Sequence, residues 1–409
     1  MAQLTPGPAV GAVAIVSGGA PDFDMLKTLL AERIQSIPRC GDHALDLTRQ
    51  VRRWALPQPG DEGELFRAVA HALERPLDAG HPLWECWIIE GLTGNRWAIL
   101  MKINHDMADD ISAARLLTLL CDDADHDMFA NHAAAQHVSS AHNPGSWADA
   151  LRRAPVTVLK AAAQVATLPL AWTSPPAPTS TRRRYRTVRV PRAAVDAVCR
   201  KFGVTANDVA LAAVTEGFRS VLLRRGQQPR ADSLPTSAAM LPHLPVEHPD
   251  PVARLHTVSS QLHRPGRSDQ RPDTPFVLCT KAIQALMRIP QQGLIALATN
   301  APGPRHRLRL MGQRLDQLLP IPPTALQLST GVAVLSYGDE LVFGITAADD
   351  AAVEMEQLAA GIELGMARLE ALSQDSVLLF SRDRRKRSSR TSPGGAGRRA
   401  TSPPVRARH

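Results

Sequence analysis

Residues 85–92 and 96–103 are two short apolar runs that meet at Gly94-Asn95, and no other feature constrains the chain so tightly. A Gly-Asn pair between two β-type runs is the signature of a hairpin. In the second run Trp97, Ile99, Met101 and Ile103 alternate with Ala98, Leu100 and Lys102. The polar segment Asn104 to Asp110 follows at once, and residues 111–121 then read as a helix with Ile111, Leu116, Leu117 and Leu120 apolar.

Helical periodicity appears on both sides of this hairpin. Leu26, Leu29, Leu30, Ile34 and Ile37 recur at three-to-four spacing over 22–37, and Pro38 stops the run. Leu65, Val69 and Leu73 line one face of a second helix over 62–74. Further along, a strand over 186–190 leads through Pro191 into a helix. A better helix starts near Thr205, where Thr205 and Asp208 come close to a capping box. Residues 331–336 and 340–345 flank Gly338-Asp339 as a second hairpin, and a helix over 352–372 closes the pattern. Helices mixed with hairpins predict an α/β (α+β) fold in two layers.

The chain has 409 residues, which suits two domains of roughly 150 to 200 residues each. The expected division is an N-terminal domain over 1–132, a connection over 133–183 with one helix near 156–168, and a C-terminal domain over 184–380. A basic tail over 381–409 is expected to be disordered. Charge supports this partition. The whole chain carries +8, but residues 382–409 hold ten Arg and Lys against Asp383 alone. The remainder has 37 basic and 38 acidic residues, which argues against a nucleic-acid groove in the folded part. Five scattered cysteines without a CxxC pair read as free thiols in a reducing compartment and offer no zinc spacing. No signal-peptide pattern opens the chain, and residues 156–172 are too short and too polar for a membrane span. The expected location is cytoplasmic.

His105 stands out because a strand delivers it into a short loop just before a helix. Loops at strand ends are where rigid scaffolds display reactive groups, and imidazole is well suited to take a hydroxyl proton near neutral pH. Its surroundings form an ordered series. Pro82-Leu83-Trp84 precedes Asn104-His105 and Asp109, followed by Asn207-Asp208, Pro235-Thr236-Ser237, Thr299-Asn300-Ala301-Pro302-Gly303-Pro304, Ser336-Tyr337 and Phe343-Gly344. This series resembles the bacterial wax ester synthase/diacylglycerol acyltransferase family over about residues 10–372. The family's PLW motif matches in full at residues 82–84. Its HHxxxDG motif matches at His105 and Asp109, with Asn104 in place of the first His and Asp110 in place of the closing Gly.

The resemblance implies two chloramphenicol-acetyltransferase-like domains with a tunnel between them and the His motif at their interface. It implies acyl-CoA as co-substrate, with no other cofactor and no metal, and diacylglycerol or a long-chain alcohol as acceptor. His105 would be the general base. Asp109 and Asn104 would support the loop, while Asn207 and Asp208 are implicated in activity. Asn300, in the family's loop of this pattern, would donate to the oxyanion, and Pro82, Leu83 and Trp84 would serve the substrate side or pack beneath the His loop. The basic tail suits an anionic leaflet or lipid-droplet surface. The departures at Asn104 and Asp110 motivate an alternative, a catalytically weakened paralogue that binds lipid or a partner as a scaffold.

Overall fold

A computed structural model describes residues 9–35, 37, 47–75, 77, 84–104, 113–124, 182–231, 233, 244–262, 294–324 and 328–388. Within these, side chains are described except at 294–302, 323, 324, 328, 329 and 375–388.

The first half supplies β1 (Ala9–Ser17), α1 (Phe23–Gln35), the short α2 (Leu47–Gln50), β2 (Val51–Ala55), α3 (Glu62–Glu74), β3 (Trp84–Leu92), β4 (Arg96–Asn104) and α4 (Ala113–Leu119). The second half supplies β5 (Arg183–Pro191), α5 (Arg192–Phe202), α6 (Ala206–Arg224), α7 (Pro251–Leu262), β6 (Leu294–Pro302), β7 (Arg309–Leu310), β8 (Gln313–Thr324), β9 (Leu328–Tyr337), β10 (Glu340–Ala348) and α8 (Ala352–Ser388). They form a six-stranded sheet ordered β2-β3-β4-β1-β8-β7 and a four-stranded sheet ordered β5-β10-β9-β6.

Both hairpins form where the turn residues predict them. Asn95 takes a positive φ of 52°, as does Gly94 at 76°, which a tight connection between twisted strands requires. The expected helices over 22–37 and 62–74 are α1 and α3, and Asp61 caps α3 by accepting the Glu64 N–H. The closing helix runs further than its apolar pattern, to Ser388. Its backbone is therefore helical over 382–388, where the sequence suggested a disordered tail.

Both faces of the larger sheet are covered. On one side Ile99, Met101 and Ile103 pack with Leu26, Leu30 and Ile34 of α1 and Leu116 and Leu117 of α4. On the other, Val13, Ile15 and Leu100 pack with Leu65, Val69 and Leu73 of α3. The smaller sheet presents Val332, Phe343 and Ile345 to α5 through α8. Its opposite face reaches the larger sheet's cores through Leu335, Tyr337 and Val342.

Strand β8 joins the halves. It comes from the second half of the chain, yet it pairs antiparallel with β1 along most of that strand. Where β8 passes β10 the two sheets nearly touch. A Cβ at Gly344 would collide with the carbonyl oxygen of Pro320, so only glycine fits there. Tyr185 of β5 donates its buried hydroxyl to that same carbonyl at 2.9 Å.

Candidate functional site

Strand β4 ends at Asn104, which is 8% exposed. Asn104 pairs with Ala9 of β1, and Ala9 pairs onward with Thr324 of β8, so three neighbouring strands stop at one edge. At the same end of the hairpin, Trp84 opens β3 and pairs with Ile103. The Pro82-Leu83-Trp84 and Asn104-His105 motifs therefore adjoin one end of one hairpin. Pro82, Leu83, His105, Asp109 and Asp110 lie outside the described residues. Trp84 is 1% exposed and packs with α1 and α4, a core position on the α4 side of the sheet.

A charged group is enclosed beside this edge. Lys102 is fully buried, and its Nζ donates to the carbonyls of Ala72 at 2.8 Å and Arg75 at 2.7 Å. These are carbonyls at the C-terminal end of α3, which the helix itself leaves unpaired and where a cation is favoured. The third direction is an ion pair with Glu85 Oε2 at 2.9 Å, directly across the β3–β4 ladder. Arg52 of β2 pairs with Glu85 from the outer side. Burial opposes charge on the Glu85 carboxyl, but Lys102 and then Arg52 outweigh it and hold the group below the ordinary carboxylate range. For Lys102 burial is the larger effect, and its ammonium sits below the usual lysine value despite Glu85. Sequence reading passed over this pair. Its signal was a lysine inside a strand whose interior is otherwise apolar; the match with Glu85 depends on the register shift between Ile89 and Leu92.

Asn207 and Asp208 sit in the first turn of α6. Asp208 is fully buried and completes a capping box. Its Oδ2 accepts the Thr205 N–H at 2.9 Å, and Thr205 Oγ1 accepts the Asp208 N–H at 3.2 Å. Among the described residues Asp208 Oδ1 has no hydrogen-bond partner. Asn207 is half-buried beside it.

Asn300 was expected in a loop. The backbone instead continues as β6 through Pro302, pairing in parallel with β9. The register slips between Ala298 and Ala301, so Asn300 falls in an irregularity of the ladder. Bulges of this kind re-aim side chains and recur beside active sites. The chain turns only at Gly303, whose N–H donates to the Ser336 carbonyl at 2.9 Å.

Cys86, Cys121 and Cys199 are free thiols. Burial pushes the Cys121 thiol up to about 12 and Cys199 up to about 11. Among the described residues no cluster of three or more His, Cys, Asp or Glu could hold a metal ion, and no helix is long and apolar enough to cross a membrane.

Two helix-flanked sheets are joined by a shared strand, with the hairpin end at their edge, and solved acyltransferase structures share this architecture. The wax ester synthase/diacylglycerol acyltransferase from Marinobacter aquaeolei superposes with a TM-score of 0.61 at 21% identity, covering 90% of this chain and 95% of that one. The first condensation domain of the calcium-dependent antibiotic synthetase follows at 0.52 and 13%, covering 89% and 91%. The chain belongs to the wax ester synthase/diacylglycerol acyltransferase family. The family's catalytic-domain model matches residues 20–210, and its C-terminal-domain model matches residues 236–370. A Mycobacterium tuberculosis protein named as a diacylglycerol O-acyltransferase is 62% identical over 428 aligned positions, spanning 99% of this chain and 96% of that relative. A second from the same species, the diacylglycerol O-acyltransferase tgs1, is 40% identical over 90% and 92%.

Proposed function

We propose that this chain transfers a long-chain acyl group from acyl-CoA to the hydroxyl of diacylglycerol, forming triacylglycerol, with His105 as general base. Fatty alcohols are the second acceptor class, giving wax esters. The observation that carries the reading is family membership along nearly the whole chain, at 62% identity to a relative named for this activity.

In this mechanism the His105 imidazole removes the acceptor's hydroxyl proton. The oxygen attacks the thioester carbonyl and a tetrahedral oxyanion forms. The C–S bond then breaks, and His105 returns its proton to the leaving CoA thiolate. General-base assistance contributes roughly 10²–10⁴ in rate. Asn300 donates to the oxyanion, and each such donor is worth roughly 10²–10³. Asp109 orients the His105 loop, and Asn104 supports it by hydrogen bonding where relatives of the family pattern carry a first His. Pro82 and Leu83 serve the substrate side of the hairpin end, Trp84 supports that end from the core, and the acyl chain lies in a tunnel between the two domains. Acyl-CoA is consumed as co-substrate, and the chemistry calls for no further cofactor. The enzyme works in the cytoplasm, and the basic run after residue 381 holds it against an anionic leaflet or droplet surface.

Purified full-length chain supplied with labelled acyl-CoA and dioleoylglycerol should yield triacylglycerol. His105→Ala should lower the rate at least about 10²-fold. A variant as active as the parent removes His105 from the mechanism. Asn104 and Asp110 favour a second reading, a scaffold that binds lipid without turnover. Lipid binding that is unchanged in His105→Ala, with no product from either protein, selects the scaffold.

A further inference from the structure

A buried ion pair is an expensive way to fill a core. Replacing such a pair by apolar side chains of similar volume is commonly neutral or stabilising. Ala98 and Leu100, which precede Lys102 on its face of β4, are both apolar and buried among the α3 side chains. The charge is confined to the last inward position before the strand stops at Asn104. Gly11 faces Lys102 across the β1–β4 ladder, and a Cβ there would lie 2.8 Å from the Met101 carbonyl oxygen and 3.1 Å from Ile321 Cδ1, so β1 is held close against its neighbours at this level.

The contacts of Lys102 converge on the two motifs. Glu85 is the residue after Trp84, so it stands where the Pro82-Leu83-Trp84 segment enters β3. Lys102 stands three residues before His105, close to the end of β4 at Asn104. Between them the ion pair closes the hairpin end, and the Ala72 and Arg75 carbonyls tether that end to α3.

We propose that Lys102 and Glu85 are positioning residues: their ion pair, fastened to the end of α3, fixes the direction in which β4 ends, one residue before His105. This rests on the assignment of His105 as general base. Fixed direction matters because a displacement of about 1 Å at a reacting group can cost about a hundredfold in rate.

The test uses the full chain and the double variant Glu85→Met/Lys102→Met, which keeps volume and removes both charges. Three quantities are read: the denaturation midpoint, kcat and KM for acyl-CoA, and the rate at which diethylpyrocarbonate modifies His105, followed by peptide mass. His256, exposed on α7, is the internal control. The expected result is a folded double variant with kcat lowered about ten- to a hundredfold, little change in KM, and an altered His105 modification rate with His256 unchanged. Should the double variant fail to fold, Glu85→Gln, which retains both Lys102–carbonyl contacts, carries the same comparison. A folded variant with parental kcat and parental His105 reactivity overturns the proposal. If the parent makes no product but His105 reactivity still shifts in the variant, the positioning role stands and the acyl-transfer assignment falls.

Discussion

Asp208 allows a structural role and a chemical role to be separated by one substitution. In Asp208→Ala the Thr205 N–H loses its acceptor, a capping contact worth about 0.5–2 kcal/mol. The first turn of α6 also loses a negative charge at its positive end, worth about 0.3–1 kcal/mol. Relief from holding a fully buried carboxylate offsets part of this. We expect a net loss of about 1–1.5 kcal/mol, a measurable fraction of a typical domain's stability. Thr205→Ala removes the other half of the box at about 1 kcal/mol. The double variant should cost less than the sum, because both changes break one motif. Guanidinium titration of the four proteins gives the stabilities, and acyl transfer per folded molecule gives the function. If the cap is the whole role, turnover per folded molecule stays at the parental level. An Asp208→Ala protein whose stability lies within about 0.5 kcal/mol of the parent, yet which has lost turnover, refutes the capping argument and places Asp208 at the substrate.

Three further predictions follow from the packing. Glu216 of α6 holds the buried Arg254 of α7 at 2.5 Å and the more exposed Arg368 of α8 at 3.0 Å, so Glu216→Gln should cost about 3–5 kcal/mol by calorimetry or denaturant titration, while Arg368→Ala should cost under about 1 kcal/mol. The folded-state carboxyl of Glu85 lies below its ordinary value of 4.5, so its contribution is present above that pH and lost as pH falls through the depressed folded value; stability measured from about pH 7 to pH 3 should fall less steeply in Glu85→Gln than in the parent. Cys86 and Cys121, both buried with thiols pushed well up, should resist iodoacetamide in the native protein at about pH 8 and react on denaturation, as mass spectrometry of the two peptides will register.

Strongly periodic helices and the two Gly-turned hairpins were legible because local sequence decides them. The unread strands were those whose place is set by partners far along the chain. Ala9–Ser17 is Ala- and Val-rich and reads equally as a buried helix segment, yet it is a central strand because β4 and β8 flank it. Gln313–Thr324 contains Pro320, Pro322 and Pro323, which argue against an interior strand. Among the described residues only β7 flanks that side of β8, pairing with its first two residues, so most of that edge carries no ladder and a missing N–H costs little there. At the site, the motif residues could be named in order. Asp208's capping geometry was visible as the Thr-x-x-Asp spacing. The enclosure of Lys102 was not, because it depends on α3 ending over the hairpin, a tertiary fact with no local mark.

The borrowed strand has a temporal consequence for the cell. A nascent chain emerges from the ribosome in order, at about 5–20 residues per second. β1 is among the first strands to appear, but its partner on one side arrives only with residues 313–324. For the interval between, a nine-residue apolar strand has a bare hydrogen-bonding edge, the kind of surface that recruits another chain. Expression of residues 1–210 alone would make that interval permanent. The fragment should collect in inclusion bodies, and a separately made piece carrying residues 294–348 should draw it into solution.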